Sequence, residues 1–159
     1  MLAILLGSAL AYGQEAKPSG PPAEPSTPEA IKQFNEDKVA ELEKQIVGKE
    51  EQPAEAVFKN IKILTGVPAG RLLKIMQMGY SRSLGTSCVH CHVPGQWEKD
   101  DKVPKQIARD MSKMAHTINL ELLRNIDGLK DRDPIVNCTT CHRGQLKPAL
   151  NLDAEGQKK

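Results

Sequence analysis

At 159 residues the chain has room for one domain with attachments and little more. Its 22 basic residues nearly balance 20 acidic ones, which excludes the strong positive field of a nucleic-acid binder. Aromatic side chains make up only 3%, too few to fill an ordinary core, so bulk from outside the polypeptide is expected to complete the interior.

In chain order, residues 2–11 form an apolar run too short to span a bilayer, followed by Ala11-Tyr12-Gly13. This reads as a secretory signal over residues 1–13, cut near Gly13–Gln14, although a basic segment ahead of it is lacking. An uncleaved anchor is the alternative. Periplasmic location and a mature form with no transmembrane span are expected. Residues 14–27 carry Pro18, Pro21, Pro22 and Pro25 and read as a flexible, polyproline-like linker.

A helix is predicted over residues 28–47, with Thr27 as cap, Pro28 in the first turn and Gly48 as stop. Val39, Leu42 and Ile46 share one face, and residues 28–52 are expected to form a helical arm outside the core. The main domain is assigned to residues 53–150. It opens with a helical turn at 54–56 and a stretch at 57–64 that periodicity leaves open between extended and helical. A helix follows over 68–84, ended by Gly85, with Leu72, Leu73, Ile75, Met76 and Tyr80 on one side and Met78 nearly opposite. Residues 93–101 read as a loop with Pro94-Gly95 as turn and Trp97 covering a cofactor edge or the domain surface. From 103 to 124, Ile107, Met111, Met114, Ile118 and Leu122 give the strongest stripe, while Lys105, Arg109, Asp110, Lys113 and Glu121 fall on other faces. A polar loop at 125–133 and a flexible tail at 151–159 complete the pass.

Each of the two long main-domain helices leads into a motif. Cys88-Val89-His90-Cys91-His92 recurs as Cys138-Thr139-Thr140-Cys141-His142, and together they use all four cysteines. Cys-x-x-Cys-His is the attachment signature of c-type haem. On a helical turn, positions i, i+3 and i+4 project from one side, so two thiols can bond porphyrin vinyl groups while the imidazole takes the iron. One zinc held by both pairs, or dithiol redox chemistry, are the alternatives, but neither needs a His after each second Cys. Two haem c groups are therefore expected, held by Cys88, Cys91, Cys138 and Cys141, with His92 and His142 as the proximal iron ligands. Their propionates would bring the net charge of +2 to neutral or slightly acidic. The fold class is all-α: a small dihaem domain of helix and motif, twice over, behind an N-terminal helix and a Pro-rich tether.

For the sixth iron position Met and His are the candidates, and Met raises the potential relative to His. Met76 is favoured over Met78 because it lies on the apolar face; Met111 and Met114 both lie on their stripe, and spacing does not choose between them. His90 sits inside the first motif and cannot reach over its own haem. His116 falls off its stripe, so a bis-His site would have to use His116 or His90.

Residues 56–144 resemble the cytochrome subunit of photosynthetic reaction centres, specifically one dihaem half of that tetrahaem protein. The resemblance rests on Val57-Phe58-Lys59-Asn60-Ile61, the Met-bearing helix before Cys88, Pro104 through Met111, Met114, Ile118-Asn119 and the run from Cys138 to Gly144. It implies Met76 as distal ligand of the first haem and Met111 as that of the second. This chain departs in a Met76-to-Cys88 spacing about one residue short, a longer 125–133 loop and the absence of a second haem pair. The function expected is an exported, non-enzymatic carrier of single electrons between redox partner proteins, such as a membrane electron-transfer complex, without a small-molecule substrate. A dihaem peroxidase-like enzyme with one open iron and a docking segment of a longer multihaem wire are the alternatives.

Overall fold

The computed structural model describes residues 24–130 and 132–151. The expected signal, most of the Pro-rich linker and nearly all of the tail fall outside the described residues. What is described is helical, and the only β contacts are isolated bridges at Pro53–Pro68 and Val93–Gln96, in keeping with an all-α fold.

Helix α1 spans Pro28–Gln45, capped by the Thr27 hydroxyl, which accepts from the Ala30 amide at 3.2 Å. Gly48, at φ 79°, follows its end. Its apolar face corrects the expectation of an outlying arm. Val39 and Ile46 are buried with Ala69 and Leu73, and Leu42, Val57 and Phe58 pack against that cluster. The stripe is short, but the helix after Pro68 packs against it, so α1 is a member of the core rather than an attachment to it.

Helix α2, Ala54–Val57, is the single turn expected there. The open stretch after it resolves as irregular backbone, with Asn60 and Leu64 at positive φ. It forms a closed loop because the Ala54 amide bonds Val67 O at 2.7 Å and the Ala69 amide bonds Gln52 O at 2.9 Å.

Residues 69–84 run as one helix with an internal change of hydrogen-bond register: α3 (Ala69–Lys74), a π-helical stretch (Ile75–Ser81) and α4 (Arg82–Leu84). Pro68 starts it and Gly85, left-handed at φ 64°, stops it, as expected from the sequence. The first motif forms α5, Cys88–Cys91. Helix α6 covers Val103–Thr117, then loosens into a π stretch at Ile118–Leu122 and 3-10 turns at Leu123–Asn125 and Asp127–Leu129. The second motif forms α7, Cys138–His142.

The two motifs are joined at one point. The Gly144 amide bonds Ser83 O at 2.8 Å, and the hydroxyls of Ser83 and Thr139 meet at 2.6 Å. A Cβ at Gly85 would lie 2.0 Å from Gly144 O, so the close approach of the backbones requires glycine there. This join seats α7 on the end of the helix that leads into α5.

Candidate functional site

Two cavities lie side by side, one at each motif. The first is bounded by Leu72, Met76 and Tyr80 from the 69–84 helix, by Cys88, Cys91 and His92, by Trp97, and by Lys105 and Arg109 of α6. The π stretch carries both Met76 and Tyr80 into this wall and leaves Met78 on the outside, 49% exposed. A π turn inside an α-helix marks functional positions more often than structural ones.

His92 is held through its Nδ1, which donates to Trp97 O at 2.8 Å. A carbonyl only accepts, so Nδ1 carries the proton and Nε2 keeps a free lone pair. Burial pushes the His92 pKa down, with smaller contributions from the charges of Lys105 and Arg109, against the bond to Trp97. The ring of Trp97 stands edge-on to that of His92 with centroids 5.8 Å apart, and Trp97 lines the same cavity. Burial also raises the Cys88 and Cys91 pKa values, which keeps both as protonated thiols.

The second cavity is bounded by Ile107, Met111, Met114 and Ile118, by Cys138, Cys141 and His142, and by Val136 and Leu146. His142 repeats the arrangement of His92, its Nδ1 donating to Gln145 O at 3.1 Å. Ile107, Met111 and Met114 are 54%, 37% and 47% exposed, an apolar face of the kind a flat apolar ligand would cover. His116 is exposed and lines neither cavity, in line with its place off the stripe.

Tyr80, Leu84, Cys91 and Ala108 line both cavities, so the two share a wall. Across it the Tyr80 hydroxyl meets Ser112 Oγ at 2.5 Å. Ser112 itself donates to Ala108 O at 3.0 Å, which makes Tyr80 the donor of the pair.

Two features escaped the reading of the sequence. His90, inside the first motif, lines the second cavity, a placement that only the packing of the two halves decides. Lys105 and Arg109, expected on outer faces of their helix, are 9% and 7% exposed. Both are drawn inward by Asp100 from the preceding loop, at 3.2 Å and 2.9 Å.

A family profile described as photosynthetic reaction centre cytochrome C subunit matches residues 16–155, nearly the whole chain. The chain belongs to this family. Among relatives, the photosynthetic reaction center cytochrome c subunit of Thermochromatium tepidum is 29% identical over 96 residues, 60% of this chain and 22% of the relative. Cytochrome c-554 of Chloroflexus aurantiacus is 29% identical over 83 residues, 52% of this chain and 20% of the relative. The photosynthetic reaction center cytochrome c subunit of Roseobacter denitrificans is 32% identical over 107 residues, 62% of this chain and 27% of the relative. The matched segments thus cover no more than about a quarter of each relative's length.

A family of c-type cytochromes holds its haem covalently. The donor set of this reaction-centre-cytochrome relative fits that group. Each cavity is lined by both thiols and the imidazole of one motif, the imidazole bonded through Nδ1 to a backbone carbonyl, and by at least one Met thioether. Among the described residues no helix is long and apolar enough to cross a membrane.

Proposed function

We propose that the chain is an exported dihaem c-type cytochrome that passes single electrons between redox proteins, one of them a membrane electron-transfer complex of the kind its relatives are named for. The observation that carries this reading is the repeated grouping of Cys, Cys, His and Met around each of two adjoining cavities. In it, Cys88 and Cys91 would hold the first haem, with His92 and Met76 as the iron-binding side chains. Cys138 and Cys141 would hold the second, with His142 and Met111 in those roles. Met111 is preferred to Met114 because it is the less exposed of the two and matches the position implied by the family resemblance.

Haem iron supplies reversible one-electron transfer when bound. The protein's own part is positional. Trp97 O and Gln145 O hold His92 and His142 in the tautomer that leaves Nε2 free for metal. Met76 and Met111 would supply the thioethers that compete with outside ligands for the iron, and the common wall keeps the two sites within one packed unit. Intact mass and optical spectra of the purified protein test the reading. Two covalent haems and low-spin, sulfur-ligated iron at both sites are expected. A high-spin iron that binds cyanide rapidly and turns over peroxide would replace the carrier with a peroxidase-like enzyme.

A further inference from the structure

The motifs contribute unequally to the wall between the cavities. Cys91 lines both cavities, whereas Cys88 lines only the first and Cys138 and Cys141 only the second. His90 lines the second cavity as well, so the first motif enters its neighbour's site while the second motif keeps to its own. A thioether at Cys91 would carry the bonded frame of the first porphyrin up to the common wall.

The other members of that wall are Tyr80, Leu84 and Ala108. Leu84 and Ala108 offer saturated side chains, so Tyr80 supplies the one π system common to both sites. Burial raises the Tyr80 pKa, against the bond to Ser112, and the sulfurs of Cys138 and Cys91 add to the rise. One sulfur from each motif thus acts on the same phenol. Ser112 is a weak base already engaged with Ala108 O, so the phenol keeps its proton.

We propose that Tyr80, together with Cys91, bridges the two haem sites and carries the electronic coupling between them. This rests on the dihaem reading above. The electron leaves one iron for the other, no bond is made or broken, and no proton leaves Tyr80. The ring is a bridge rather than a resting place, because a phenol that keeps its proton is hard to oxidise. Tunnelling weakens steeply across any gap that bonds and packed atoms do not fill, so the side chain at this point sets the rate.

Two measurements on the holoprotein test this. In the fully reduced, diamagnetic state the Tyr80 ring should show nuclear Overhauser contacts to protons of both porphyrins, and contacts to one alone overturn the bridge. In the half-reduced state the haem methyl signals should be averaged by exchange between the sites. Tyr80→Val should resolve them into separate sets. Tyr80→Phe, which keeps the ring and loses the bond to Ser112, should leave them averaged. Cys91→Ala should also resolve them and Cys88→Ala should not, although each removes one thioether from the same haem. Equal effects of the two cysteine variants overturn the part given to Cys91. With two haems present, signals still averaged in Tyr80→Val, or resolved alike in both Tyr80 variants, overturn the bridge and leave the carrier standing. A chain that carries fewer than two haems ends both.

Discussion

The two Cys-x-x-Cys-His motifs share a spacing and are held in place by opposite means. At the second, the cap is local. The Asn137 side chain accepts from the Thr140 amide at 3.1 Å and the Thr140 hydroxyl accepts from the Asn137 amide at 3.0 Å, a closed box within four residues. At the first, Ser87 makes no such bond to its helix. The Cys88 amide is instead accepted by the Asn35 side chain at 2.9 Å, which also donates to Thr86 O at 3.1 Å. Asn35 is 5% exposed and belongs to α1, far upstream. One motif is capped by its own residues; the other is completed by a helix that, on sequence grounds, looked like an appendage. A short attachment sequence therefore specifies bonding chemistry but leaves its own scaffolding to whatever the chain provides.

Variants that break this comparison rank clearly. Gly85→Ala strikes the join between the halves, combining a left-handed backbone with overlap on Gly144 O, and should cost about 3 kcal/mol or more. Loss of both proposed haem groups from the purified protein, read by mass, is the expected accompaniment. Asn35→Ala comes next, since it removes two bonds at a buried position, at about 2 kcal/mol. Its sharper readout is haem content, which should fall at the first motif and hold at the second. Equal loss at both would mean that α1 supports the fold as a whole rather than that motif. Asn137→Ala, at an exposed local cap, should cost about 1 kcal/mol in denaturant titration and spare the first site.

The smallest effect is on acid stability. Arg109 above all, with Lys62 and Lys105, holds the Asp100 carboxyl well below its ordinary 3.8. A depressed folded-state pKa contributes stability that is complete above the unfolded value and is lost as pH falls below it. Unfolding followed from pH 5 downward should therefore steepen below about pH 4, and Asp100→Asn should flatten that limb. The carboxylate is 37% exposed, so solvent screening keeps the change modest. Among the described residues no Lys, Arg, Asp or Glu lines the second cavity, and the limb should be insensitive to changes there.

Much of this molecule was legible in short-range pattern. The motifs, the stop at Gly85, the inward face of Met76 and the outward one of Met78 all follow from spacing along one helix. What was hidden depended on partners distant in sequence. Nothing in its local pattern marks Asn35, whose partners Thr86 and Cys88 lie some fifty positions downstream. Lys105 and Arg109 read as solvent-facing because the acid that draws them inward sits on a loop with no periodicity. The stripe of α1 announces burial without saying against what, and the irregular path over 58–67 is fixed by pairing at its ends rather than by its own residues. The π stretches leave the apolar pattern nearly intact while changing which carbonyl each amide meets, so periodicity does not register them.

The bond from Tyr80 to Ser112 crosses the partition between the chambers. Tyr80 rides on the same π stretch as Met76, and Ser112 is the neighbour of Met111. One hydrogen bond thus fastens the stretch that carries Met76 to the helix that carries Met111, so that the walls of the two chambers are tied to each other rather than merely adjacent.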